Sequence, residues 1–517
     1  MKASSFLRLT SIMVSLLIAN VFTANAQNVN NALTFSNQAV MFGDQQQIAN
    51  PITGIMPGVA LGTGFAAFLD NPASLALIND SFGEFGLSFN TVDENASFLG
   101  TGRSTSQNDT RLSNIGLVYR FPTERGSLVV GGGYNQHTNF NRAAAFNARN
   151  ENSSITDFFK ISDSYADIAF NTFATDFGDE FQDWDESILR LGFDQPGTFL
   201  GMRQQGEIVQ SGFGGEWSAF LATEFQKNIM VGASIGFLNG RFTFGRTILE
   251  SDDLNLYDSA FIDSNGDGTG NTDIDSILLT DRVSSEFYGF RARVGSLVRL
   301  TDHLNIGASY TFPTRINVEE DFDATIRTTM DNGDSFNDSE RTRFDYSVRY
   351  PQRIGLGAAI DDFGGFSLSV ATEYVNYAST EVNFRDDQFF EEELAENEAI
   401  ADIFDDTWNF RGGVSYRVNP IATVRAGYQY TPSRFKNGLD DRNTLSLGAG
   451  FMVGQRTSIE LGGTYSWWDE NTAVFTFGEF DYSALPDNIP PFTVDSVDAA
   501  RTIDQFRLMT TIRFALF

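Results

Sequence analysis

Apolar and polar residues alternate with a period of two over most of the chain after the first eighty residues. In 303–312, for example, Leu304 and Ile306 fall on one face, while Asn305 falls on the other. Because successive side chains of a β-strand point to opposite sides, this pattern predicts strands with one apolar face. The predicted strands lie at 82–91, 112–121, 127–136, 216–226, 229–244, 283–300, 303–328, 341–360, 366–377, 406–417, 420–430, 442–453, 456–467 and 503–517.

Short turns and long polar segments alternate between these strands, which is typical of the two ends of a bacterial outer-membrane barrel. The predicted long segments lie at 92–111, 137–215, 245–282, 329–340, 378–405, 431–441 and 468–499. Aromatic residues such as Tyr374, Trp408 and Trp467 stand at strand ends, where the aromatic girdles of such barrels lie. The predicted fold class is all-β, a transmembrane antiparallel β-barrel of about 14 strands. The alternative is an exported β-sandwich or propeller, whose strands also alternate.

The last predicted strand ends in an aromatic residue, Phe517, on an alternating segment. This resembles the signal that the outer-membrane assembly machinery reads, so we expect that machinery as a partner. Phe517 falls in register with Arg507 and Arg513 rather than with the apolar face, and a β-bulge near the end would reconcile the two.

The first 26 residues predict a cleaved signal peptide. Lys2 and Arg8 precede an apolar stretch, Leu9–Phe22, and Ala24 and Ala26 supply the small residues that signal peptidase needs. A membrane anchor is the alternative, but the apolar stretch is too short to span a bilayer. The predicted domains are a signal peptide at 1–26, an N-terminal hatch at 27–80 and a transmembrane barrel at 81–517.

Composition agrees with a barrel wall. Only 41% of the residues are hydrophobic, and cysteine is absent, yet the chain has 50 Phe and 47 Gly. A strand that shows lipid every second residue keeps a low mean hydropathy although its outer face is apolar. The formal charge of −32 excludes nucleic acid as a partner and is explained by solvated acidic loops.

Residues 27–80 lack strand periodicity and are rich in Gly and Ala, and the first strand follows them. A lumen of about 14 strands is too wide for side chains to fill alone, so a compact segment of this size could plug it. Asn71, Pro72 and Ala73 are the predicted hatch anchor, because proline fixes φ and asparagine can cap a turn. An ordinary turn between plug and barrel is the alternative.

Here the chain resembles the outer-membrane long-chain fatty acid and hydrophobic compound transporter family (FadL-like), especially its Bacteroidetes branch. The resemblance spans the mature chain and rests on Ala32–Ser36, Asn71–Leu75, Tyr350–Gly357, and Asp441–Arg442 with Leu445–Gly448. It implies a 14-stranded monomeric barrel with a hatch, capture of an apolar ligand by extracellular loops, and lateral release into outer-membrane lipid through a kink in the third strand.

The predicted third strand contains Gly131, Gly132 and Gly133. Glycine weakens a strand and permits a kink or bulge, so these residues are the predicted lateral gate. The alternatives are close packing of the hatch and low strand propensity.

The longest loop, 137–215, carries apolar residues at helical spacing, which predict two amphipathic helices that form a ligand groove. They are Phe158, Ile161, Tyr165, Ile168, Phe181, Trp184, Ile188 and Leu191. The alternative is that these faces only pack on each other. A further helix is expected in 388–404 as a solvated cap.

Asp263, Asn265 and Asp267 alternate before a glycine, as oxygen ligands do at the start of a calcium loop. The twelfth position is Ile274, where a bidentate Glu is needed, so a polar loop is the alternative. No other cofactor is expected. The two histidines, His137 and His303, suggest no catalytic constellation, and we expect no enzyme.

These observations predict a passive transporter of long-chain fatty acids or other hydrophobic compounds in the cell outer membrane. The alternative function is a FadL-like barrel that acts as an interaction scaffold in protein secretion or surface attachment.

Overall fold

Fourteen antiparallel strands form one closed barrel, as the alternation predicts. The computed structural model describes residues 33–43, 50–160, 162–178, 185–191, 198–436, 438, 440–475 and 497–516. The strands are β1 Phe82–Phe98, β2 Thr101–Phe121, β3 Leu128–Asn139 with Arg142–Asn150, β4 Met202–Gln226, β5 Ile229–Ser251, β6 Ile274–Arg299, β7 Leu304–Thr311 with Thr314–Met330, β8 Ser335–Tyr350 with Arg353–Phe363, β9 Phe366–Asn376 with Glu381–Asn383, β10 Asp406–Asn419, β11 Ala422–Thr431, β12 Arg442–Met452, β13 Thr457–Phe475 and β14 Val497–Ala515.

The barrel closes between its first and last strands. β1 pairs with β2 on one side and with β14 on the other, where Phe82 faces Ala515 and Phe98 faces Ala499. Every strand therefore has neighbours within the sheet, and closure removes the exposed edges of an open sheet over the height at which all strands are present. The predicted signal peptide and Phe517 lie outside the described residues.

Two of the predicted long loops are wrong. In 92–111, β1 and β2 continue to a two-residue turn at Leu99 and Gly100, and in 329–340 β7 and β8 are joined by a short turn. The strands rise above the outer apolar belt at this end, so their outer faces become polar, as the exposed charges Asp93 and Arg341 show. Alternation of apolar residues is lost from the sequence there although the strand continues.

An apolar belt surrounds the middle of the barrel. Its exposed outward side chains include Leu87, Ile115, Leu221, Phe290, Ile306, Leu368, Val414, Leu447, Leu461 and Leu508. Aromatic pairs border the belt, including Tyr374 with Trp408, whose ring centroids are 5.0 Å apart. The belt has the outer surface expected of a barrel in lipid. Among the described residues, no helix is long and apolar enough to cross a membrane.

The described part of 27–80 lies inside the barrel as helices and turns. Helix α1, Phe35–Gly43, lies at the end with the long loops, and 3₁₀ helices at Phe65–Leu69 and Pro72–Leu77 lie deeper. Nearly all of their side chains are buried. We refer to residues 50–80 as the inner hatch.

Loop helices close the same end. The loop between β3 and β4 forms α2, Ile155–Phe159, and α3, Asp163–Asn171. The second predicted helix of that loop is wrong in its described part, where Asp185–Ser187 pairs with Thr175–Phe177 as a hairpin and Ile188–Arg190 is a 3₁₀ turn. The loop between β9 and β10 carries α4, Phe390–Ile403, which confirms the helix expected in 388–404.

Candidate functional site

Asn71 lies between the inner hatch and the barrel wall and hydrogen-bonds to both. Its Oδ1 accepts the N–H of Ala73 at 2.9 Å and so caps the 3₁₀ helix that begins at Pro72. Its Nδ2 donates to the carbonyl of Val59 at 2.7 Å and to that of Ser296 on β6 at 3.0 Å. One fully buried amide therefore joins two turns of the hatch to one strand.

A layer of glycines receives the inner hatch. Each of ten strands contributes one glycine, and a Cβ built there would strike or touch a hatch atom. At Gly295 it would lie 1.8 Å from Asn71 Oδ1, and at Gly307 it would lie 2.1 Å from the carbonyl oxygen of Val59. This glycine layer consists of the directly opposed pairs Gly116–Gly133, Gly232–Gly295, Gly307–Gly357, Gly413–Gly427 and Gly448–Gly462.

Ion pairs add to the attachment of the inner hatch. Asp70 pairs with Arg411 of β10 and accepts the N–H of Gly58 at 2.7 Å. Glu84 of β1 accepts from Asn50 Nδ2 at 2.8 Å and from Arg513 of β14 at 3.1 Å. The hatch is therefore held by polar contacts on several sides of the lumen, as well as by packing.

Gly131, Gly132 and Gly133 lie in the regular part of β3. They face Val118, Leu117 and Gly116 of β2 and pair on the other side with β4. Gly133 belongs to the glycine layer and lies against Phe65 of the hatch. The ladder between β2 and β3 ends two residues later, at Asn114 and Asn135.

Above Asn135 the wall between β2 and β3 has no backbone ladder. β2 continues over 101–113 but pairs there only with β1, and Arg142–Asn150 of β3 pairs only with β4. Side chains bridge the gap, with Asn139 Nδ2 donating to Asp109 Oδ1 at 2.8 Å and Arg111 to Asn141 Oδ1 at 3.3 Å. We call this gap, between 101–113 and 136–150, the β2–β3 break.

Buried polar groups without a protein partner cluster at the foot of the β2–β3 break. Both side-chain polar atoms of Asn135, Oε1 of Gln136 and Nε2 of His137 make no hydrogen bond among the described residues, and all three side chains are buried. His137 Nδ1 lies 2.8 Å from Thr138 Oγ1. Because burying an unpaired polar group is costly, such a cluster is typical of a site that receives water or a ligand.

A charged cluster lies beside these residues in the lumen. Glu216 of β4 accepts two bonds from Arg293 of β6, at 2.7 and 2.8 Å, and one from Arg291 at 3.3 Å. Ser218 also donates to Glu216, and the guanidinium of Arg293 lies 5.9 Å from the ring centroid of Phe68 in the hatch. Two arginines of β6 thus contact one carboxylate of β4 beside the hatch.

The described residues of the predicted groove lie in one cluster of apolar side chains. Phe158, Tyr165, Ile168 and Ile188 are buried in one apolar cluster, against which Leu191 packs. Tyr165 also donates to Asp281 of β6 at 2.7 Å. Ile161, Phe181 and Trp184 lie outside the described residues.

That cluster, which we call the upper apolar cluster, links the mouth of the barrel to the β2–β3 break. Phe42 of α1 stacks on Phe287 of β6 with centroids 4.9 Å apart and lies 5.7 Å from Phe242 of β5. Phe140, which stands between the two segments of β3, lies 5.3 Å from Phe242. Aromatic rings therefore form a continuous apolar contact from the hatch helix to the break.

The side-chain oxygens of the calcium-like residues accept hydrogen bonds from backbone N–H groups of their own loop. Asp263 accepts the N–H groups of Gly266, Asp267 and Gly268, and these bonds, that of Gly268 above all, hold its pKa below the usual range. Asn265 Oδ1 accepts the N–H of Asp267 at 2.9 Å. In the described part of the chain, no three His, Cys, Asp or Glu side chains group as metal ligands.

The sequence analysis did not predict the charged cluster around Glu216 or the glycine layer. The signal for the first was present, because Arg291, Arg293 and Glu216 stand at inward positions of apolar alternating strands. The signal for the second was one glycine per strand, but only the register between strands shows that these glycines lie opposite each other.

Comparisons with known proteins agree with this architecture. A family model described as outer membrane protein transport protein (OMPP1/FadL/TodX) matches residues 219–479, slightly more than half of the chain. No curated protein matches the sequence.

A solved structure of low sequence identity shares the fold, and two others align over most of both chains. A Pseudomonas aeruginosa FadL homologue has 13% identity and a TM-score of 0.52, over 92% of this chain and 100% of that one. The Ralstonia pickettii toluene transporter TbuX has 14% identity and a TM-score of 0.49, over 91% and 100%. The P. putida toluene transporter TodX has 14% identity and a TM-score of 0.47, over 90% and 98%.

Proposed function

Because the chain belongs to the OMPP1/FadL/TodX family of outer-membrane transport proteins, we propose that it is a passive channel for long-chain fatty acids or other hydrophobic compounds. A ligand is captured at the mouth, passes along the upper apolar cluster and leaves sideways into the lipid at the foot of the β2–β3 break, beside Ile115 of the apolar belt. An apolar ligand gains nothing from an aqueous channel, so a lateral exit matches its chemistry.

The observation that carries this proposal is the β2–β3 break. Within lipid, a barrel wall is sealed by backbone hydrogen bonds between neighbouring strands. Here the ladder ends at Asn114 and Asn135, and only side-chain contacts join the two strands above this point. Side chains rotate without disrupting the sheet, so the wall can open here without breaking a backbone ladder.

The glycines Gly131–Gly133 support the same exit from below. Gly133 lets β3 pass close to Phe65 of the hatch, and all three lack the side chains that would otherwise fill the space beneath the break. We keep them as the lower border of the proposed lateral gate, with residues 136–141 as its opening.

The charged cluster around Glu216, together with Asn135, favours a ligand with an anionic head. Nε of Arg293 and both polar side-chain atoms of Asn135, which lies opposite Glu216 on the neighbouring strand, make no hydrogen bond among the described residues. A carboxylate would complete this cluster with charge-assisted hydrogen bonds. A pure hydrocarbon would leave the polar groups unpaired, so we infer a preference for fatty acids.

The test is to bridge the break. The chain has no cysteine, so Asp109→Cys with Asn139→Cys provides a single reactive pair across the break. The matched control is Asp93→Cys with Ser106→Cys, which face each other across the intact β1–β2 ladder. Each pair is joined by a short thiol-reactive bridge that a reductant cleaves, and uptake of labelled oleate is measured in a host without its own transporter.

We expect bridging at the break to abolish uptake and reduction to restore it, with no change in the control pair. Equal uptake by both bridged pairs would contradict the lateral exit. Absence of uptake by the unmodified, folded barrel would contradict the channel itself.

The second candidate function is the interaction scaffold. Residues 335–346 of β8 rise above the belt and pair with β7, but no strand pairs with their other side in the described part of the chain. Such an edge can accept an extended segment of another protein. Copurification of a partner that a proline at Thr342 abolishes would favour this function.

We expect the protein to act as a monomer and to be folded by the outer-membrane assembly machinery, as its family resemblance implies. The calcium loop stays a prediction, which isothermal titration of the purified barrel with Ca²⁺ would test.

A further inference from the structure

Helix α1 of the hatch is held at both ends by different parts of the molecule. At its C-terminal end, the carbonyl oxygen of Gly43 accepts a hydrogen bond from Arg353 of β8 at 2.9 Å. A Cβ at Gly43 would lie 1.9 Å from the ring of Tyr350. In its middle, Gln38 accepts the hydroxyl of Tyr346 at 2.5 Å. These contacts belong to the rigid wall.

The beginning of α1 is held by a loop instead. Glu396, in the middle of α4, lies 360 residues away in sequence, and its Oε2 accepts the N–H of Ser36 at 3.1 Å. The first N–H groups of a helix have no partner within the helix, so a carboxyl oxygen there acts as a cap supplied by another element. Glu396 is 1% exposed, although the helix around it is acidic and largely exposed.

Aromatic rings strengthen this contact. Phe35, which is fully buried, lies 4.8 Å from Phe384 in the same loop as α4 and 4.8 Å from Tyr346 of the wall. Phe389, at the start of α4, lies 5.6 Å from Phe344. The loop, the hatch helix and the wall therefore share one aromatic contact.

The carboxyl group of Glu396 is nevertheless buried at a cost in free energy. No lysine or arginine forms an ion pair with Glu396 among the described residues, and its Oε1 makes no hydrogen bond there. Burying a carboxyl group without a charged partner costs free energy, so the closed arrangement has a cost that opening would relieve. The outer face of α4 is exposed through Phe390 and Leu394, so nothing described covers the helix from outside.

From this geometry we propose that α4 is a latch, which holds the hatch helix α1 in the mouth of the barrel and releases it when a ligand passes. The inference rests on the proposed transport function. It adds an extracellular element that couples the mouth to the hatch, with Glu396 as the positioning residue.

The first test measures the latch without transport. Ser36→Cys places a single cysteine under α4, and its labelling by a bulky thiol-reactive polyethylene glycol is followed on intact cells. We expect slow labelling in the otherwise unchanged chain, fast labelling with Glu396→Ala, and no change with Glu398→Ala, an exposed residue of the same helix. Equal rates in all three would overturn the latch.

The second test measures its role in transport. Ser36→Cys with Glu396→Cys is bridged reversibly, and Asp323→Cys with Arg341→Cys, which face each other on β7 and β8, is the control pair. We expect loss of oleate uptake only in the bridged latch, with recovery on reduction. Undiminished uptake through the bridged latch would refute the release step, whereas a lack of uptake in every variant would refute the channel and leave the labelling result to decide the latch.

Discussion

Replacing Asn71 by alanine removes the amide that joins the inner hatch to β6. The change deletes the cap on Ala73, which is worth about 1 kcal/mol. It also deprives the buried carbonyls of Val59 and Ser296 of one donor, at about 1 kcal/mol each. We therefore expect the hatch to lose about 3 kcal/mol of attachment, which is about a 100-fold rise in the population of its open form.

Hydrogen–deuterium exchange of the purified barrel measures this population segment by segment, because hatch amides exchange when the hatch opens locally. Peptides from 50–78 should exchange about 100-fold faster in Asn71→Ala, while wall peptides from β5 and β6 should be unchanged. Asn337→Ala on the exposed face of β8 is the matched control. Hatch peptides that exchange as slowly as in the unchanged chain would refute the anchoring role of Asn71.

Three further predictions follow from named contacts. Gly295→Ala should displace the hatch at a cost of about 1–3 kcal/mol and speed its exchange, whereas Gly245→Ala, where a Cβ meets nothing within 4 Å, should not. Burial raises the pKa of Glu396 to about 8 in the closed latch, so the latch should be firmest at low pH, where the carboxyl group is protonated, and should loosen as the pH rises towards about 8. Tyr346 faces Glu396, and Glu320 and Tyr350 lie beside Tyr346. In Ser36→Cys, Glu396→Gln should make the rate of thiol labelling independent of pH. A pH dependence of that rate retained in the glutamine variant would show that another group titrates. Arg293→Gln should weaken binding of oleate about tenfold but not of oleyl alcohol, measured by fluorescence displacement, and equal weakening of both would exclude a role for the carboxylate.

The number of strands was predictable because lipid imposes alternation on every strand that crosses it. Each of the fourteen predicted segments overlaps one observed strand, including β8 with Pro351 between its two halves. The strand ends were not predictable at the long-loop end, where 92–111 is strand although both faces carry polar residues. Outside lipid, the outer face has no reason to be apolar, so the periodic signal disappears while the hydrogen bonds continue.

The candidate site was predictable only where the local sequence alone determines the structure. Asn followed by Pro predicts a capped turn from the local sequence alone. In the structure Asn71 caps the 3₁₀ helix that begins at Pro72, where the hatch meets the wall. The β2–β3 break, the glycine layer and the contact of Glu396 with Ser36 each join residues far apart in sequence. Such contacts depend on register and on how the loops fold back, which a single sequence does not show. The Bacteroidetes branch stays a prediction.

The most direct measurement is uptake of labelled oleate by cells that lack their own outer-membrane fatty acid transporter and display this barrel, compared with entrance of a small hydrophilic dye. The account predicts oleate uptake well above that of cells without the barrel and no increase in dye permeability, because the hatch and the upper apolar cluster fill the lumen. A folded, surface-located barrel that admits the dye but not oleate would contradict it.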